Sequence, residues 1–219
     1  KHVAIEPIIS CKKCKSCVSG DYHLCKVDFQ GMGMSINGGM AEQILVPEEC
    51  LVSLDDRVSI QDACLVEPLA VALHGFIRTN TKSDHKIAVI GGGTIGMCAI
   101  AAAKYIGCEV DLFAKYDHQK EAGRKLGAGN LDGLYDRVVD CVGTKETLNL
   151  SAKSAKPGSW IVLLGIPLEG INLPGLKVIM NEIKEEQFKT NLIKRDNTFE
   201  KKQAMLHIYE LMGKVFVET

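Results

Sequence analysis

The sequence has no long apolar run, no surplus of one charge and few aromatic residues. Aromatics make up 5% of 219 residues, with a single tryptophan. Lys plus Arg number 26 against 27 Asp plus Glu, which removes the basic excess a nucleic-acid binder would need. No stretch approaches the roughly 18 apolar residues of a membrane span; the best candidate, Gly96 to Tyr105, is interrupted by Lys104. The residues given contain no signal peptide, lipidation box or low-complexity tract, and no internal repeat. The chain begins with Lys1 rather than Met, which raises the expectation that it is a fragment. What remains is ordinary globular composition, 46% apolar and 24% charged, long enough for one large or two small domains at ~150 residues each.

Cysteine is plentiful and unevenly placed. There are nine, an odd number that a closed set of disulfides cannot use up. Cys11, Cys14, Cys17 and Cys25 lie within fifteen residues, whereas Cys50, Cys64, Cys98, Cys108 and Cys141 are scattered. Cys64, Cys98, Cys108 and Cys141 have apolar or small neighbours, where a free thiol acts as a small hydrophobe. The combination points to a reducing compartment, expected to be cytoplasmic, and to a metal site.

The cluster reads C-x2-C-x2-C-x7-C. Zinc binds four thiolates at ~2.3 Å in a tetrahedron, and a site so filled holds a loop rather than activating water. A ferredoxin-type iron–sulfur run would be expected to read C-x2-C-x2-C-x3-C-P; here the last spacer is seven and Lys26 follows Cys25. The odd total and the expected compartment weigh against disulfides, and His23 offers a substitute ligand that four thiols make unnecessary. Structural zinc on Cys11, Cys14, Cys17 and Cys25 is the expectation.

Residues 1 to about 57 read as loops and short strands, with strand-like runs in Ala41–Leu51 around Pro47. Ser59 and Asp62 have capping-box spacing, predicting a helix start. Pro68 should end or restart it, leaving Glu67 at or beside an N-terminal cap and a second helix over Leu69–Ile77. Beyond a polar linker, Arg78–Asp84, the pattern alternates. Strands are predicted at Lys86–Ile90, Glu109–Ala114, Asp136–Val142 and Trp160–Gly165. Helices are predicted at Met97–Ile106, His118–Leu126 and Thr147–Ala155. Such alternation means βαβ units and a parallel sheet, an α/β fold. In the charged tail from Glu182 the clear element is a helix over about 198–212.

Gly91, Gly93 and Gly96 form G-x-G-x-x-G (GGGTIG) between a strand and a helix, the setting in which such glycines bind dinucleotides. The first makes the turn, the second admits the pyrophosphate and the third packs helix on strand, with Thr94 and Ile95 between them. The helix N-terminus then faces the phosphates. A tight turn with no ligand is the bland alternative. Ligands in such sheets bind outside the carboxyl ends of the strands, so Val142, Gly143, Gly165 and Ile166 should border the nicotinamide end. An acid about 20 residues beyond the glycines normally holds the NAD ribose. Here the strand ends in Ala114, followed by Lys115, Tyr116, Asp117 and His118. Lys115 and His118 suit a 2′-phosphate, favouring NADP over NAD; the alternative leaves Lys115 solvated and bends Asp117 back to the ribose.

The four-cysteine lobe, GGMAEQILVP, VEPLAVALHG and GGGTIG, in that order, resemble the zinc-dependent medium-chain dehydrogenase/reductases, the alcohol, sorbitol and threonine dehydrogenase group. VEPLAVALHG is most similar to the polyol and secondary-alcohol branch. The resemblance implies part of a β-rich GroES-like catalytic domain over 1–80 and a Rossmann doubly wound parallel sheet over 81–180. A C-terminal segment, 181–219, would return toward the catalytic domain. It further implies a catalytic zinc polarising a small alcohol or polyol, hydride transfer to NAD(P), and a homodimer or homotetramer, with no nucleic-acid or membrane partner.

Two departures accompany it. The family's other catalytic-zinc ligands lie upstream of the cysteine lobe, where this chain has only ten residues, so Glu67 is the single match in or beside that shell. The residues alone favour Glu67 as a helix cap over a metal ligand, and read His74 as a packed residue; the resemblance brings the metal role level with the cap. A family member would also carry another strand and helix between Gly127 and Tyr135, so the sheet is expected to be partly truncated. The alternative reading of the 219 residues is a zinc-stabilised nucleotide-binding fragment without turnover of its own.

Overall fold

The computed structural model describes residues 1–166 and 184–187. Short strands β1 (Val3–Ile5) and β2 (Ile8–Ile9) lead into the cysteine loop, which holds one helical turn, α1 (Lys15–Val18). Two further strands, β3 (Gln30–Gly31) and β4 (Leu51–Ser53), return to pair antiparallel with β2 and β1. The run Ala41–Val46, expected to be strand-like, is irregular, with Leu45 wholly exposed, and a 3-10 turn at Glu48–Cys50 precedes β4. An apolar run extends into a strand only where a neighbour completes its ladder, and Pro47 withholds a donor.

At Ser59 the hydroxyl accepts from the Asp62 amide at 3.1 Å and donates to its carboxylate at 2.6 Å, but the turn it opens, Asp62–Leu65, is 3-10. A single helix, α2 (Val66–Arg78), then runs through Pro68. The expected break does not occur because Pro68 is the third helical residue, whose missing N–H would have had no intrahelical partner.

The remaining elements alternate: β5 (Lys86–Ile90), α3 (Thr94–Ile106), β6 (Glu109–Phe113), α4 (Asp117–Lys125), β7 (Gly129–Asn130), β8 (Tyr135–Asp140), α5 (Lys145–Ser154), β9 (Ala155–Leu163) and β10 (Lys184–Gln187). They form one parallel sheet in the order β10-β9-β8-β5-β6-β7. Counted from β5 this is the 3-2-1-4-5-6 order of a doubly wound dinucleotide fold. Alternation along β5 sends Ile87 and Val89 into a core with α2 and α3, and Ala88 and Ile90 into a second core with Leu148 and Ala152 of α5. The alanines of α3, from Ala99 to Ala103, are almost fully buried.

Two expectations about the sheet are refined. The shortening between Gly127 and Tyr135 falls on the connecting helix, while the strand persists as the two-residue β7. At the other edge the charged segment Lys184–Gln187 pairs with Trp160–Leu163, so the sheet continues past residue 180, where the domain boundary was expected. The helix expected over 198–212 lies outside the described residues; among the described residues, no helix is long and apolar enough to cross a membrane.

Tyr135 fastens the short β7–β8 connection. Its ring is fully buried; its hydroxyl accepts from the Asp132 amide at 2.6 Å and lies 2.9 Å from both the Asp132 carbonyl and Asp111 Oδ2. Lys86 bridges Asp111 from the other side at 3.3 Å. Burial raises the phenol pKa to about 12, keeping it a donor. Tyr135→Phe strands the Asp132 amide and one carboxylate lone pair, and should cost about 1–3 kcal/mol. The measurement is the midpoint of urea unfolding, and an unchanged midpoint would refute the hydroxyl's role.

Candidate functional site

The four clustered cysteines converge although their loop carries almost no core. Between residues 10 and 30, Cys25 alone is buried. Two features bend the backbone inward: Lys12 adopts a left-handed φ of 60°, and the Cys14 amide donates to Cys11 Sγ at 3.3 Å. The sulfurs stand 3.7 Å apart for Cys11–Cys17, 3.4 Å for Cys14–Cys17 and 3.9 Å for Cys14–Cys25, with all four within 4.8 Å of one another. A tetrahedron of ~2.3 Å zinc–sulfur bonds has sulfur–sulfur edges of about 3.8 Å. The spacing therefore fits one zinc, and the thiols are free rather than paired.

The thiols are strongly differentiated. Backbone hydrogen bonding, at Asp28 first, brings Cys25 down to about 6. At Cys14 a backbone hydrogen bond from Cys17 acts in the same direction but is outweighed by the neighbouring thiols and burial, which lift it to about 11. Four like groups this close cannot all ionise unaided; a dication compensates their charge. His23 is half-buried rather than exposed, set edge-on against His74 of α2 at 6.2 Å, so it links the lobe to the next domain segment. Among the scattered cysteines Cys98 and Cys108 are buried, but Cys64 is exposed, its thiol against the Gln61 carbonyl.

The second site lies outside the carboxyl ends of β5, β6, β8 and β9. Gly91 turns the chain with φ 105°, and a Cβ there would meet Val142 Cγ2 at 2.5 Å. A Cβ on Gly96 would run into the Gly91 carbonyl, so α3 packs directly on the turn. Gly93 has open space around its Cα, and no side chain caps α3. First-turn amides without a cap are suited to an anion. Contact with Val142 and Gly143 on β8's end also requires Gly165, at the end of β9, to lack a side chain. Gly91, Gly96, Val142, Gly143 and Gly165 are thus brought together; Thr94 is exposed, Ile95 half-buried, and Ile166 lies outermost with its side chain largely exposed.

The end of β6 forms the flank. Ala114 and Gln119 pack where a Cβ on Gly92 would sit, which sets the segment 115–118 beside the glycine turn. Lys115 and His118 are exposed there. Tyr116, not singled out by sequence, stacks on His118 with ring centres 5.6 Å apart and planes at 10°, and Lys115 Nζ stands 5.4 Å from the Tyr116 ring. The Asp117 carboxylate is held by Lys120 at 2.9 Å and faces solvent.

Glu67 sits in the first turn of α2, where an acid complements the helix dipole. It is at the surface, yet partial desolvation raises its pKa. Its charge also reaches Cys98 of α3, whose thiol burial pushes up to about 12. Among the described residues no three metal-binding side chains gather around Glu67; the cysteine group alone does so. Sequence reading also passed over Asp140, the fully buried carboxylate at the end of β8. Its signal is an Asp at a strand end with Gly three residues on, the pattern of an Asx turn.

Comparison with known proteins places these sites in context. Residues 1–56 match the family described as the alcohol dehydrogenase GroES-like domain. The L-idonate 5-dehydrogenase of Vitis vinifera is 29% identical over 195 residues, 78% of this chain and 53% of its own length. The sorbitol dehydrogenase of Bacillus subtilis is 28% identical over 194 residues, 78% of this chain and 55% of its own. The chain spans about half the length of these curated relatives. Among solved structures, a protein described as a zinc-binding dehydrogenase from Sinorhizobium meliloti 1021, bound to NADP, superposes with a TM-score of 0.82 at 25% identity, covering 95% of this chain and 66% of that one.

Proposed function

We propose that the chain, similar to these dehydrogenases in its first 56 residues and in its fold, is a member of the zinc-dependent medium-chain dehydrogenase/reductase family, and that the intact protein transfers a hydride between a secondary alcohol or polyol and NAD(P). The observation that carries the proposal is the meeting of Gly91, Val142 and Gly165 at the carboxyl ends of three parallel strands, beside an uncapped helix N-terminus. A bound nicotinamide would supply the hydride acceptor. The chain's own contribution is positional: α3's first-turn amides hold the pyrophosphate, and Val142, Gly143, Gly165 and Ile166 shape the wall beside the nicotinamide. Cys11, Cys14, Cys17 and Cys25 hold a structural zinc that fixes the lobe. Glu67 is proposed to stand beside a second, catalytic zinc, although among the described residues no three metal-binding side chains gather around it.

For the cofactor we propose NADP. Ala114 replaces the expected ribose-binding acid, Asp117 is engaged with Lys120, and Lys115 and His118, exposed on either side of Tyr116, are placed to meet a 2′-phosphate. One charge-assisted hydrogen bond contributes roughly 1.5–3 kcal/mol, so NADPH should bind about tenfold or more tighter than NADH. Lys115→Ala should abolish most of that gap without weakening NADH. Fluorescence titration of both cofactors measures this, and tighter NADH binding would defeat it.

We further propose a cytoplasmic homodimer or homotetramer, on nine free thiols and the family resemblance. A second reading, favoured because no three metal-binding side chains gather around Glu67 among the described residues, is a fragment that binds zinc and nucleotide without turnover. Metal analysis with an activity assay separates the two. Two zincs per chain with alcohol-dependent NADPH formation supports the dehydrogenase; one zinc and no turnover supports the fragment.

A further inference from the structure

Asp140 ends β8 with no exposed surface, and its carboxylate accepts from three donors on two different elements. Oδ1 accepts from the Val142 and Gly143 amides, each at 2.9 Å, and Oδ2 from Ser151 Oγ of α5 at 3.3 Å. Its own carbonyl accepts from the amides of Leu164 and Gly165, both at 2.9 Å. One residue therefore ties together the turn 141–143, the following helix and the end of β9. Those groups border the crevice next to Gly91 of the glycine turn.

The arrangement fixes the chemistry of that wall. Two successive amides that could have faced the crevice are turned inward to the carboxylate, with Gly143 at φ 82° to allow it. Gly91 and Gly165 pack against the turn so closely that neither has room for a Cβ. With those amides engaged, what the turn has left to offer a ligand is hydrogen-bond acceptors and the half-exposed Val142 side chain, not donors for a phosphate. The pyrophosphate is left to α3's amides.

We infer that Asp140 is a positioning residue for the nicotinamide half of the cofactor: it holds the 141–143 turn with its amides withdrawn, so that the wall takes the carboxamide and ring in one orientation. The inference rests on the dinucleotide reading of the crevice. It predicts that loss of Asp140 affects the two halves of the ligand unequally, which a residue that merely stabilises the fold would not do.

The test compares NADPH with 2′-phospho-ADP-ribose, which lacks the nicotinamide, by calorimetric titration of the full chain. Asp140→Ala should weaken NADPH about tenfold or more while leaving the fragment within about twofold, and Asp140→Asn, which keeps an Oδ1 acceptor for both amides, should recover most of the loss. Equal weakening of both ligands, or no change in either, overturns the inference. Amide hydrogen exchange on the wild-type chain gives a check that does not depend on the variant's folding: the Val142 and Gly143 amides should be protected without ligand, and fast exchange there also overturns it. A wild-type chain that binds neither ligand would instead defeat the dinucleotide reading itself.

Discussion

Cys25→Ser should release the zinc and unfold the lobe of residues 11–25 while the parallel sheet survives. The reason lies in what else could hold that loop. No residue of α1 is buried, and Cys25 alone is buried between residues 10 and 30, so the segment has no apolar core to fall back on. Its order comes from four sulfurs that match the edges of a zinc tetrahedron. Structural zinc contributes on the order of 10–16 kcal/mol in small zinc-folded peptides, comparable with the whole stability of a domain, about 5–15 kcal/mol. Elemental analysis should find about one zinc lost per chain, as expected for removal of one of four ligands. Trypsin should then cut rapidly at Lys12, Lys13, Lys15 and Lys26, which the folded lobe protects. EDTA on the wild type should reproduce the cleavage pattern. Retained zinc, or an unchanged digest after its loss, would show that the lobe does not depend on the metal.

Gly96→Ala should destroy both cofactor binding and much of the stability of the sheet domain, whereas Gly93→Ala should remove binding alone. A Cβ at Gly96 collides with the Gly91 carbonyl, also meets Gly91 C at 3.0 Å, and cannot be accommodated by moving a flexible side chain, since both obstacles are backbone. Overpacking of this kind costs about 1–3 kcal/mol or more, with α3 pushed off its strand. Gly93 is different: nothing lies within 4 Å of its Cβ position and its φ of −79° suits any residue. The folded state should therefore tolerate Gly93→Ala within about 0.5 kcal/mol, as at ordinary exposed sites, while the methyl blocks close approach of a pyrophosphate. Thermal melts and NADPH titration of both variants read the split. Gly93→Ala that binds NADPH as the wild type does would remove the turn from the cofactor site.

Local signals proved legible where short-range physics decides them. The strand Lys86–Ile90 is where the sequence puts it, because five apolar-rich residues before a glycine turn have few alternatives. The turn that follows was also legible, although its helix begins at Thr94 rather than Met97, since Thr94 to Gly96 already serve as the first helical turn. Ala41–Val46 was misread because a strand exists only where a partner completes its hydrogen bonds. The reverse holds for Lys184–Gln187, whose charged sequence gives no strand signal, yet β9 supplies a ladder.

The sequence by itself determined the thiol cluster, the glycine turn between strand and helix and the α/β alternation, because each depends on residue types at fixed short spacings along the chain. Tertiary structure alone decided that Lys184–Gln187 joins the sheet beside β9, that Tyr135 of β8 reaches Asp111 of β6, and that the amides after β9 close on the Asp140 carbonyl. Those outcomes depend on which groups meet across tens of residues, where the energy of burying a polar atom without a partner, rather than local propensity, selects the arrangement.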